Sequence, residues 1–170
     1  MPFLKYNANP LDRRGNDCTI RAISLFTGKT WDEVYIGVTA EGFDLKDMPS
    51  TNEIWNRYLK RLGYRPHTLP DTCPDCYTVK DFVRDHPKGR YLLCTGDHVI
   101  FAINNRYVDT WDSGDRVVLY LQSVISVSAA DDESAYESAA ADTEQRLRRG
   151  QRISRGSQLS YCLRDKRKPN

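Results

Sequence analysis

GDHVIFAINNRYVDTW, running from Gly96 to Trp111, consists of two apolar segments joined by a pair of asparagines. Val99–Ile103 and Tyr107–Trp111 are rich in strand-forming residues, and Asn104-Asn105 suits a two-residue hairpin because asparagine tolerates positive φ at both central positions. With Ile103 opposite Arg106, His98 faces Trp111 and Ile100 faces Asp109. The side chains of residues 98, 100, 102, 107, 109 and 111 then share one face of the sheet. His98 and Asp109 become diagonal neighbours, roughly 7–8 Å apart at the backbone, within reach of a bond from carboxylate to imidazole. A bulge in the turn would shift the parity by one and put Asp112 in the place of Asp109.

Two further segments on either side have strand character, Tyr91–Cys94 and Val117–Leu121, and with the hairpin they read as an antiparallel meander of four strands. Everything upstream of Gly89 reads as helix and loop. Ile20, Ala22, Ile23 and Phe26 recur at helical spacing behind Asn16-Asp17, with Gly28 as a left-handed stop. Thr30-Trp-Asp-Glu33 and Ser50-Thr-Asn-Glu53 are capping boxes, the first opening a short helix through Tyr35, the second a helix carrying Ile54, Tyr58, Leu59 and Leu62 to Gly63. A proline-containing loop follows from Tyr64 to Tyr77, then a fourth helix from Thr78 to Asp85 with Val79, Phe82 and Val83 inward. Helices first and strands second predict an α+β domain, with the N-terminal helices packed on one face of a small antiparallel sheet.

The chain has 170 residues, of which 39% are hydrophobic, 11% aromatic and 28% charged. That suffices for one core and includes no apolar run long enough to span a membrane. The first residues lack the pattern of a secretory signal, so the expected compartment is the cytoplasm. Charge divides the chain in two. Residues 1–128 carry 16 basic and 16 acidic side chains, whereas every charge from Ala129 to Gln145 is negative and all but Asp165 are positive from Arg146 to Lys168. Ser126–Ala141 is poor in large apolar residues, which predicts a folded unit at 1–128 and a polar tail at 129–170, flexible or helical, that does not build the core.

Five cysteines, Cys18, Cys73, Cys76, Cys94 and Cys162, are too few and too unevenly spaced for a disulfide framework. Cys18 is the one at a helix start, where free N–H groups and the helix dipole stabilise a thiolate. Its own N–H can serve an oxyanion. A nucleophile on a helix, facing a strand histidine oriented by a carboxylate, is the arrangement for acyl transfer through a thioester. Taken singly, Cys18 reads as a core residue, His98 as a core or surface histidine and Asp109 as a cap. Chain order, helix-start placement and sheet parity together favour the trio.

Gly15-Asn-Asp-Cys18-Thr-Ile-Arg-Ala-Ile, Thr-Gly-Lys-Thr-Trp31-Asp-Glu-Val-Tyr35, Gly96-Asp-His98-Val-Ile-Phe-Ala-Ile and Tyr107-Val-Asp109-Thr-Trp111-Asp-Ser together resemble papain-like cysteine peptidases. They look most like the small phage and bacterial proteins similar to the C39 peptidase domain. The resemblance spans Tyr6 to Leu121 and implies a papain-like fold, with Cys18 as nucleophile, His98 as base and Asp109 as its orienting acid. That family usually carries an oxyanion glutamine five or six residues before the cysteine, where this chain has Arg13 and Asp12. Asn16 is the substitute candidate, though helix capping is its commoner use.

Other motifs point elsewhere. Cys73-Pro-Asp-Cys76 with His67 and His86 has half the spacing of a zinc site but no second Cys-x-x-Cys to close it, so two loop thiols are the simpler reading. Gly28-Lys29-Thr30 lacks the earlier glycine and the preceding strand of a phosphate-binding loop. Arg146, Arg148, Arg149, Arg152 and Arg155 form a basic run that suits a nucleic acid or an acidic partner, although a solvated tail is the simpler reading. The expected activity is that of a cysteine hydrolase, a peptidase without a cofactor, acting on a peptide or protein substrate and not on membranes. The competing reading is a catalytically silent papain-like module that binds a host protein or nucleic acid through its tail.

Overall fold

The computed structural model describes residues 1–13, 15–70, 75–124, 145 and 147–149. Its elements in chain order are β1 (Phe3–Lys5), α1 (Cys18–Thr27), α2 (Trp31–Leu45), α3 (Asn52–Arg61), β2 (Tyr64–Thr68), α4 (Val79–Asp85), β3 (Arg90–Cys94), β4 (Val99–Ile103), β5 (Arg106–Asp109) and β6 (Tyr120–Val124). The chain is therefore an α+β protein. None of the described helices is long and apolar enough to cross a membrane.

Local chemistry accounts for most helix boundaries. Gly28 ends α1 at φ 75°, where a side chain would be strained. Thr30 and Glu33 form a reciprocal capping box at the start of α2, as Thr78 and Asp81 do for α4. At α3 the expected box at Ser50 is not made. Thr51 is the N-cap, and its hydroxyl is occupied by Asp47 at 3.0 Å and the Met48 carbonyl at 3.1 Å. Helix α2 also runs ten residues past Tyr35, to Leu45. Glu41 on it is buried and holds Arg57 and Arg61 of α3 at 2.9 and 2.8 Å, tying the two helices together.

The hairpin has the register read from the sequence. Asn104 and Asn105 both have positive φ, 46° and 59°, and Ile103 pairs with Arg106, Ala102 with Tyr107 and Phe101 with Val108. The rest of the sheet differs from a four-stranded antiparallel meander. It is a six-stranded mixed sheet in the order β1-β5-β4-β3-β6-β2, with β1 parallel to β5. Strand β6 does not continue next to β5; it crosses to pair with β3 and β2. Val118 and Leu119, read as strand, instead send their N–H groups to Tyr77 and Cys94, so the strand proper starts at Tyr120. The supposed loop after Gly63 opens with β2, which tolerates Pro66 because it lies on the sheet edge.

Both faces of the sheet are covered, correcting the expectation of helices on one face. Ile20, Ile23 and Phe26 of α1, Val34 and Val38 of α2 and Ile54, Trp55 and Leu59 of α3 pack with Leu92, Val99, Phe101 and Val108. Val79, Phe82 and Val83 of α4 pack with Leu93, Ile100, Ala102 and Tyr107 on the reverse. Two-sided burial explains why β4 is apolar at every position. One tail residue also joins this core: Leu147, 3% exposed, belongs to the α1–α3 cluster. The charge-poor apolar pattern of a core segment is missing around it, so composition alone assigned it to the polar tail.

Leu147→Ala should therefore destabilise the protein by about 2–5 kcal/mol, the usual range for emptying a buried leucine site. The urea midpoint of the full chain measures this. An unshifted midpoint would mean that the tail contributes nothing to the core.

Candidate active site

Cys18 is the first residue of α1 and is half-buried at the sheet end where β4 begins and β5 ends. His98 stands one residue before β4, behind the Thr95–His98 turn, in which the Thr95 N–H donates to the His98 carbonyl at 2.9 Å. Asp109 is the last residue of β5 and is buried. His98 Nε2 and Asp109 Oδ2 are 2.6 Å apart, which leaves Nδ1 available to the Cys18 sulfur, and Cys18 and His98 line the same cleft. All three residues of the trio are thus brought together.

Electrostatics polarises this chain of contacts. Burial alone would push the Cys18 thiol up, but the hydrogen bond and charge of His98, with the Val99 N–H and the Thr19 hydroxyl, bring it below its ordinary value. Burial would lower His98; the bonds and charges of Asp109 and Cys18 outweigh it and raise the imidazole to about 9. Asp109, although buried, is held below the usual carboxylate range by His98, by the fully buried Ser113 and by the Thr110 N–H. Both shifts move the pair toward thiolate and imidazolium. Cys94 shows the contrast: buried without a cation, its thiol is pushed up to about 12.

Asp112 is not the third member. It accepts hydrogen bonds from the Tyr107 hydroxyl and the Gly114 N–H and sits exposed on the rim. Asn16 is exposed and lines the cleft beside Cys18, but Asp17, not Asn16, is the N-cap residue of α1. No side chain caps that helix, so the N–H groups of its first turn remain free for an oxyanion. Asp12 accepts from Asn7 at 3.0 Å and closes the preceding turn.

Two supporting residues escaped the sequence reading. Asp17 accepts from Asn9 at 2.8 Å and from the Trp31 indole at 3.0 Å and pairs with Arg21 at 3.3 Å, so it pins the loop before Cys18 to α2. Its only sequence signal was its place next to a possible cap. Trp111 lies over His98, ring centroids 5.4 Å apart, and Arg116 lies over Trp111 while pairing with Asp97 at 3.1 Å. The cleft they border has a volume of about 890 Å³.

Among the described residues, no three His, Cys, Asp or Glu side chains form a group able to hold a metal ion. His67 is exposed on β2, Cys76 is exposed, and His86 stacks on Phe82 with Nδ1 at 3.0 Å from the Phe82 carbonyl. Cys73, Cys162, Arg146, Arg152 and Arg155 lie outside the described residues. Compared with family models, with curated proteins and with solved structures, the chain matches none.

The Cys18–His98 pair should be visible in the pH dependence of alkylation. Iodoacetamide labelling, read cysteine by cysteine by mass spectrometry, is expected to be much faster at Cys18 than at Cys94 at pH 7. Its rate should fall less than tenfold per unit below pH 8, because the thiolate persists there. His98→Ala should slow labelling at pH 7 by about tenfold or more and restore the steep profile of an ordinary thiol. Equal rates at Cys18 and Cys94 would contradict an activated thiol.

Proposed function

We propose that this protein is a papain-like cysteine hydrolase, a peptidase in its simplest form. The observation that carries the reading is the 2.6 Å contact between His98 and Asp109 in the cleft that Cys18 also lines, where the charge of His98 brings the thiol below its ordinary pKa. The motif resemblance to papain-like peptidases adds the same three residues in the same chain order. The lowered thiol favours an enzyme over a silent binding module on the same scaffold, since a binding module gains nothing from a charged sulfur.

The chemistry follows from the geometry. The Cys18 thiolate attacks the amide carbonyl carbon, and the oxygen takes up negative charge at the start of α1, where the Cys18 N–H is available. His98, already protonated, delivers its proton to the leaving amine as the carbon–nitrogen bond breaks and the thioester remains. Water then attacks the thioester, giving its proton to His98, and the acid departs as the sulfur regains its electron pair. Asp109 keeps Nε2 engaged throughout, which holds Nδ1 toward the sulfur and stabilises the imidazolium. The same residues would serve deamidation or transglutamination, because only the leaving group or the acyl acceptor changes.

A mixed peptide library incubated with the full chain and read by mass spectrometry separates these outcomes as a cut backbone, a carboxamide turned into a carboxylate, or a cross-linked peptide. Cys18→Ala should abolish turnover, and Asp109→Asn should reduce it by at least about tenfold while leaving the thiol in place. Turnover should follow a bell-shaped pH profile. It rises as Cys18 ionises, and it falls again near pH 9, where His98 gives up the proton that the leaving amine needs. Undiminished turnover in Cys18→Ala would refute the assignment.

A further inference from the structure

Most charged side chains around the cleft have a partner of opposite sign. Arg21 is paired with Asp17 at 3.3 Å, and Asp97 with Arg116 at 3.1 Å. His98 is in contact with Asp109 at 2.6 Å, and Asp112 accepts hydrogen bonds from the Tyr107 hydroxyl and the Gly114 N–H. Lys5 remains. It lines the cleft, is exposed, and has no hydrogen bond or ion pair from its ammonium group to any described residue. Its place is fixed by the sheet, where Lys5 is the register partner of Asp109. A free cation therefore stands on the strand next to the proposed catalytic acid.

That strand is also a sheet edge with backbone to spare. The Pro2 carbonyl accepts from the Tyr107 N–H at 2.9 Å, and the Tyr6 N–H donates to the Asp109 carbonyl at 2.8 Å. Even-numbered residues of the segment thus bond to β5, and by the alternation of a parallel ladder the N–H and C=O groups of Phe3 and Lys5 point away from the sheet. Phe3 and Lys5 both line the cleft, and among the described residues β1 has no strand neighbour on that side. Free backbone groups along an edge bind an extended chain by adding it as a further strand, and side chains beside the edge then select among sequences.

We infer that the cleft takes an extended, acidic stretch of polypeptide, laid along the outer edge of β1 with a carboxylate on the Lys5 ammonium. The inference rests on the hydrolase reading, since it supplies the substrate class for that site. Lys5 would act as a specificity residue, biasing which peptide reaches Cys18 and taking no part in bond making or breaking.

Two chloroacetylated pentapeptides test it, identical except that one carries Glu where the other carries Gln. Each labels Cys18 when the sulfur displaces chloride. With the full-length protein, the acidic peptide should label Cys18 about threefold to fivefold faster than the neutral one, the range for an exposed ion pair, and 0.5 M salt should remove the preference. The ratio should fall to about one in Lys5→Gln and invert in Lys5→Glu, each variant being referred to its own rate with plain chloroacetamide. A ratio unchanged by Lys5→Glu would overturn the inference while leaving the nucleophile intact. Chloroacetamide labelling of Cys18 no faster than that of Cys94 would instead overturn the hydrolase reading on which it rests.

Discussion

A turn of two asparagines, both at positive φ, determines which residue of β5 stands opposite which residue of β4. Since strand side chains alternate with a period of two, a slip of one residue would send Asp109 to the other side of the sheet and leave His98 without its carboxylate. The 2.6 Å contact between His98 and Asp109 depends on that register. The protonation of His98, and through it the charge on Cys18, depends on the contact. Two-sided packing reinforces the register, because a slipped β5 would drive Val108 out of the α1–α3 core and Tyr107 out of the α4 core.

Bringing the sulfur to this point is the work of α1. The helix lies over β4 with Ile20, Ile23 and Phe26 buried against the sheet, so its first residue is carried to the start of β4. Asp17 adds a lateral tie to Trp31 and Asn9 just ahead of the nucleophile. Burial works against ionisation at Cys18, His98 and Asp109 alike, and at each of them the neighbouring groups outweigh it. The result is a charge arrangement that no one of the three would hold alone.

The Cys18, His98 and Asp109 arrangement needs one helix start and one hairpin, and both are placed here by ordinary folding forces: a hydrophobic stripe, a left-handed glycine stop and a tight turn. The remainder of the sheet serves a different purpose. Strand β1, parallel to β5, extends the platform past Asp109 and presents Lys5 at the cleft, so the edge of the fold and the edge of the cleft coincide.

How much of this was legible in one dimension follows from the range of the interactions. The hairpin register, the start of α1 at Cys18, the capping boxes of α2 and α4 and the Asp109 partnership with His98 all arise from contacts between residues near in sequence or from a period that the sequence displays. Strands β1 and β2 are three and five residues long and carry little alternation of their own; they become strands because β5 and β6 offer them unpaired edges. The crossing of β6 to β3, the burial of Leu147 and the closing of Asp17 on Trp31 are long-range choices. Local propensity cannot express them, because their free energy is gained only after distant segments have met. The sequence by itself determined which residues were able to form the trio. The tertiary structure decided that Cys18 and His98 line one cleft, and that Lys5 stands at its rim without an ion-pair partner among the described residues.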